Sequence, residues 1–250
     1  MRNVLLFAAL FCCSVSGFAQ KGFELGVNFT PANVWILNDE DFAEDQDQDF
    51  RGTFGYNAGV TAGFNLTDGF GITTGLLLSK QGQNYITAYD GVAKADQNTF
   101  SRNLSYLRIP ILVKVNGSLD ASSSSFFRIG PYFDLLRAAT YSYDDKSIFN
   151  LDQDKTNLNP YSGVFGTYDK VYQKSVIGLM IEMGGQINIT EEAKMIFALQ
   201  LTGNFTNTEG EDAARLFPSS GTLLSPTRGS AYNVSGGLTV GFNYVVPMGK

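Results

Sequence analysis

The sequence predicts an all-β fold, an eight-stranded antiparallel transmembrane β-barrel preceded by a cleaved signal peptide, on three observations. Eight segments alternate apolar residues with others at a period of two, the mark of strands with one apolar face. The opposite face is mainly Gly, Asn, Thr, Ser and Gln, small enough for the crowded inside of a narrow closed barrel. The connections alternate between short and long, as in outer-membrane barrels, where long loops share one rim and short turns the other.

The first element is not part of the barrel. Arg2 is followed by an apolar run from Val4 to Val15 and then Ser-Gly-Phe-Ala-Gln at 16–20. A short basic region, an apolar core and a small-residue exit describe a secretory signal, with cleavage expected after Ala19. The run is short for a bilayer-spanning helix. A lipoprotein signal is rejected, because the residue before Cys12 is the bulky Phe11. Residues 1–19 are therefore read as signal peptide and 20–250 as one barrel domain.

Both cysteines, Cys12 and Cys13, fall in the signal, so the mature chain offers no disulfide or thiol chemistry. With Arg2 removed, 17 basic residues face 24 acids, a net charge of −7. Nucleic acid, whose binding rests on basic patches, is excluded as a partner.

The strands follow in order. Phe23, Leu25, Val27 and Phe29 alternate with Gly22, Glu24, Gly26 and Asn28. From residue 53, Phe54 to Leu66 occupy the even positions and Gly, Asn and Thr most of the odd ones. Phe70, Ile72, Leu76 and Leu78 oppose Gly71, Thr73, Gly75, Ser79 and Gln81. In the fourth segment, SYLRIPILVKVNG (105–117), Leu107 to Val115 take the odd positions, while Tyr106, Arg108, Pro110, Leu112 and Lys114 share the other face. The fifth sets Phe127, Ile129, Pro131, Phe133 and Leu135 against Arg128, Gly130, Tyr132 and Asp134. Segments at 177–188, 194–205 and 232–244 repeat the arrangement, with Glu182 and Lys194 on the polar face.

Most segments run to ten or more residues. Globular strands average about 5–6, and tilted membrane strands need about 9–11. A soluble lipocalin-like barrel would put its apolar residues inside and gives no reason for unequal loops. Short connections fall near 66–69, 116–124 and 190–192, and long ones near 32–52, 83–101, 143–172 and 206–230. Pro110 has no N–H to give a ladder, and Pro131 arrives at similar height on the next strand, so a bulge or weakened ladder is expected there.

YLRIPILVKVNG followed by FFRIGPYFDLL, behind a signal ending FAQKGFELGVNF, resembles the small outer-membrane β-barrels of Bacteroidota called PorT-like or porin family proteins. The resemblance spans essentially the whole mature chain and is most specific at Tyr106–Lys114 and Gly130–Leu136. It implies a Gram-negative outer-membrane barrel and little about activity. One branch of that family serves type IX protein secretion, and the name "porin" is no evidence of a pore.

The chain has no histidine, the usual general base near neutral pH, so no Ser-His hydrolase or acyltransferase site can be built. No enzyme activity and no cofactor are expected. Glu24, Arg108, Lys114, Arg128, Asp134, Glu182 and Lys194 all have inward parity and are read as a lumenal charge network. Within it Arg108 is expected to pair with Asp134. With Val115 facing Ser125, Arg108 lies diagonal to Asp134. A shift of two residues sets them directly opposite, but brings Lys114 against Arg128, so the diagonal register is preferred.

In the loop NDEDFAEDQDQDF (38–50), Asp45, Asp47 and Asp49 have the alternate spacing of a calcium loop. Phe50 stands where the turn glycine belongs and Tyr56 where the bidentate glutamate belongs, which excludes an EF-hand. A solvated acidic loop is preferred to a looser cation site. Tyr141, Tyr143, Tyr168, Tyr172 and Tyr232 near the long-loop strand ends are read as an interfacial belt. The expected role is non-enzymatic, structural or partner-binding, with outer-membrane lipid around the wall and an envelope protein or surface ligand at the loops. A secretion accessory and a narrow channel for ions or small solutes are the alternatives.

Overall fold

The computed structural model describes residues 22–38, 48–67, 69–87, 99–118, 122–144, 152–157, 171–210 and 230–246. The expected signal lies outside them. Eight long strands make the barrel wall: β1 (Phe23–Asn38), β3 (Thr53–Asn65), β4 (Phe70–Thr87), β5 (Thr99–Ser118), β6 (Ser123–Asp144), β8 (Ser175–Asn188), β9 (Ala193–Asn204) and β10 (Ala231–Val246). Two short strands, β2 (Gln48–Arg51) and β7 (Asp152–Asn157), attach at the long-loop end to β4 and β6. Each long strand is antiparallel to both neighbours, and β1 pairs with β3 on one side and β10 on the other. The sheet therefore closes, with Phe23 opposite Val246 where the first and last strands meet. Closure leaves no unpaired wall edge, which a hydrocarbon environment would penalise heavily.

Side-chain parity runs unbroken along β1: Leu25, Val27 and Phe29 point out and are exposed, while Glu24 and Thr30 point in and are buried. The same inversion of a soluble core holds elsewhere. Val113, Val115, Leu199, Leu201, Val240 and Phe242 are exposed, and Lys114, Gln200, Thr202 and Thr239 are buried. Such a wall is stable only with lipid against it.

The strands are longer than the spacing of apolar residues indicated. β6 has 22 residues and β5 has 20, about twice what a tilted strand needs to cross the hydrocarbon. The expected long connections at 32–52, 83–101 and 143–172 are thus partly strand, since β1 continues to Asn38, β4 to Thr87, β5 begins at Thr99 and β6 ends at Asp144. The physical reason is a change of polarity without a change of parity. Beyond Thr30, the inward positions of β1 become Ala32, Val34 and Ile36, all buried. On β5 the inward residues above Arg108 are Tyr106 and Leu104, while outward Ser105 is exposed. Outside the membrane the barrel reverts to an apolar inside and a polar outside. Leu104, Tyr106, Ala139, Tyr172, Val176 and Ala231 pack there into one apolar cluster.

The ladder is irregular where proline predicts it. Between β4 and β5, pairing runs to Thr74 opposite Ile111 and resumes at Leu77 opposite Arg108. Between β5 and β6 it breaks from Pro110 opposite Tyr132 to Val113 opposite Ile129, the stretch containing Pro131. Pro110 points inward and is buried, Pro131 points outward and is exposed, and the Thr74 hydroxyl donates to the Pro110 carbonyl at 2.8 Å. One acceptor that lipid cannot satisfy is thereby satisfied.

Candidate functional site in the barrel interior

The inward residues of β5 read Arg102, Leu104, Tyr106, Arg108, Pro110, Leu112, Lys114, so a cation recurs every six residues, roughly 20 Å along the strand. A cation buried alone is prohibitively costly, and each of these meets a carboxylate from a different part of the chain. Arg108 donates Nε to Asp134 Oδ1 at 2.8 Å and Nη2 to Oδ2 at 2.7 Å, a bidentate pair with both side chains fully buried. Lys114 Nζ reaches across the barrel to β1 and donates to both Glu24 oxygens, at 2.9 and 2.8 Å. Glu24 also accepts from Asn65 Nδ2 at 2.9 Å. Arg102 pairs with Glu209 and also donates to the Tyr85 hydroxyl.

On the adjacent strand Arg128 Nη1 donates to Glu182 Oε2 at 2.9 Å. Each arginine also lies over an aromatic ring. The guanidinium carbon of Arg108 is 3.9 Å from the Tyr132 centroid, Arg128 is 4.4 Å from Phe126, and Arg102 is 4.9 Å from Tyr85. Planar guanidinium suits both contacts at once, which lysine does not.

The diagonal register is corrected. Val115 faces Phe127, Arg108 stands directly opposite Asp134, and Lys114 does stand opposite Arg128. The like-charge contact is tolerated because Glu24 holds Lys114 and Glu182 holds Arg128, each drawn from a strand distant in sequence. Lys194, on β9 opposite Asn188 and Asn243 near the short-turn end, belongs to none of these four pairs. Arg102 and Glu209 were not among the expected network. The six-residue spacing and shared parity with Arg108 and Lys114 mark Arg102 in the sequence, whereas nothing marks Glu209.

Polar ties and apolar contacts fill the space between the ion pairs. Asn57 on β3 donates to Gln200 Oε1 on β9 at 2.7 Å, across the barrel. Leu77, Leu112, Tyr132 and Met180 pack between the Arg108 and Arg128 levels, and Phe126, Ile196 and Ala198 below. Gly178 leaves room for this packing, since a β-carbon there would collide with the Tyr132 ring. A cavity of about 20 Å³ between Asn57, Thr73, Arg128 and Gln200 is space for about one water molecule.

At the long-loop end, residues 171–174 and 206–210 continue the β8–β9 hairpin: Gln173 N–H bonds the Thr208 carbonyl at 2.9 Å, and Leu136 N–H on β6 bonds the Lys174 carbonyl at 2.9 Å. Tyr172 and Glu209 form a β-bridge, and Thr208 N–H bonds the Ala231 carbonyl at 2.8 Å. Tyr172 is buried in this extension, which corrects its expected place in an interfacial belt: its ring fills an apolar space inside the extended barrel. Tyr232 is half-buried opposite Leu37, Tyr141 and Tyr143 lie on the β6 backbone, and Tyr168 is outside the described residues. Asp45 and Asp47 also lie outside, while Asp49 sits in β2 opposite Ile86. Among the described residues no three His, Cys, Asp or Glu side chains gather as a metal site would require.

The chain is similar to several solved outer-membrane barrels. OprG from Pseudomonas aeruginosa is 12% identical over 92% of this chain and 98% of that one, with a TM-score of 0.47. Neisserial surface protein A is 11% identical over 90% and 97%, at 0.43. Ail of Yersinia pestis, solved with the heparin analogue sucrose octasulfate, is 10% identical over 89% and 99%, at 0.38. No curated protein matches the chain. The family described as outer membrane protein beta-barrel domain matches residues 16–208. The chain belongs to that family, as an eight-stranded barrel of the Gram-negative outer membrane whose interior carries four ion pairs among polar side chains.

Proposed function

We propose that the protein is a non-enzymatic, non-conducting barrel whose rim and four long connections bind an envelope protein or a surface ligand. The observation that carries this reading is the interior. Lys114–Glu24 and Asn57–Gln200 tie opposite walls together, and Arg102–Glu209 ties β5 to residues 206–210 at the long-loop end. Those bonds occupy the groups that a solute path would need to leave free. The resemblance to the Bacteroidota PorT-like barrels supports an envelope role and leaves the secretion branch as one form that the partner takes.

The test combines two measurements. Surface cross-linking on intact cells, followed by purification from the outer membrane, is expected to recover a stoichiometric partner. Planar-bilayer recordings of the purified barrel are expected to stay at the lipid baseline. Steady ion conductance would replace this reading with the narrow channel. Loss of secreted proteins in a deletion strain, with a secretion component cross-linked, would assign the partner to type IX secretion.

A further inference from the structure

We infer that the outer wall across β1, β3 and β4 carries a seat for a single acyl chain of a membrane lipid. Pro110 removes one N–H from the β4–β5 ladder, and Gly75 and Leu76 consequently lack ladder partners on β5. Directly over that gap the lipid-facing surface sinks into a groove of about 570 Å³. Its shape follows from register. Ala62 lies between Leu25 and Thr74, so two small outward side chains stand side by side. Bulky neighbours, Val27 and Leu76 among them, flank them one row up, beside Val60. Ala62 and Gly75 contribute the floor, and Leu25, Val27, Leu76 and Ile109 the walls.

The groove is continuous with the wall that faces hydrocarbon, where Leu25, Val27, Val60 and Leu76 are all exposed. Apolar character alone does not select an occupant there, because lipid tails are as apolar as leucine. Shape does. A methylene chain lying in the groove touches protein on three sides and gains dispersion contacts that a smooth wall cannot give. A second barrel offers a convex wall, which would meet Leu25 and Leu76 before reaching Ala62. Nothing polar lies exposed in the groove to demand a headgroup, since the Thr74 hydroxyl is already bonded to Pro110. The site therefore takes a chain and leaves the headgroup free.

The test is native mass spectrometry of the full barrel in mild detergent, titrated with dipalmitoyl phosphatidylethanolamine. Wild type is expected to retain one lipid. Ala62→Phe fills the floor and should weaken retention about tenfold, a change of about 1.4 kcal/mol. Ala58→Phe, outward on the same strand but outside the groove, should retain lipid as wild type does. If Ala62→Phe does not fold, the milder Ala62→Leu gives the same comparison. Equal retention by wild type and the Ala62 variant would overturn the inference, as would equal loss in the Ala58 variant. A dimer abolished by Ala62→Phe with lipid retention unchanged would assign the groove to a second copy instead.

Discussion

Arg108 is held on two sides, by the Asp134 carboxylate along its edge and by the Tyr132 ring under its plane. Truncating one partner of a buried pair leaves the other charged and unpaired, which typically costs about 3–5 kcal/mol. Arg108→Ala should lower the urea midpoint accordingly. The double variant Arg108→Met/Asp134→Leu should lose less than either single truncation, because it strands no charge. Additive losses would show that the two residues act independently. Thr74 makes a second, smaller case. Thr74→Val keeps the shape and removes the donor to Pro110, so it should cost about 1–3 kcal/mol, with Thr74→Ser restoring most of it. Inward parity and the Arg108–Asp134 pairing were legible from the sequence alone. The register was not, because Lys114 beside Arg128 is a like-charge clash when the two are taken alone. Glu24 and Glu182, which remove that penalty, reach it from strands remote in sequence.

Strand ends were the least legible elements. Alternation reads as "apolar out" only inside the membrane, and β1 keeps its parity while Ala32, Val34 and Ile36 replace polar residues on the inside. A reading tuned to the membrane pattern loses the strand where the solvent changes, not where the strand stops. The hairpin extension is illegible for the same reason, because Val171, Tyr172, Thr208 and Glu209 sit in stretches that read as loop. Glu209 joins that extension to β5 through Arg102 and also accepts from Asn38 Nδ2 at 3.5 Å. Glu209→Ala should loosen 206–210 from the barrel wall and leave Arg102 without that carboxylate. Limited proteolysis of the protein in vesicles should then cut near residues 206–210 faster than in wild type, with the β-sheet circular dichroism unchanged. Cutting at an unchanged rate would show that the β-bridge and the Ala231 hydrogen bond hold the extension without the ion pair.

At the scale of the whole barrel, two solvents write two opposite codes on one continuous wall. Below about Thr30 of β1 lipid demands apolar residues outside, and the inside holds three cations matched to three carboxylates among small polar residues. Above it water demands the reverse, and an apolar cluster around the buried Arg102–Glu209 pair supplies it. The closed topology and the inside-out wall followed from period-two alternation and loop lengths, since both are local. The interior pairing is a property of the closed ring, and only the fold brings its partners together. The most direct test is a single-cysteine scan along 24–36, made clean by a chain whose cysteines, Cys12 and Cys13, both precede the barrel. Fluorophores at positions 25, 27 and 29 should be quenched by brominated lipid, while a small aqueous thiol reagent should label position 33 and spare 34 and 36. A lipid-quenched label at 34 or 36, or aqueous labelling of 25 and 27 in vesicles, would contradict the account.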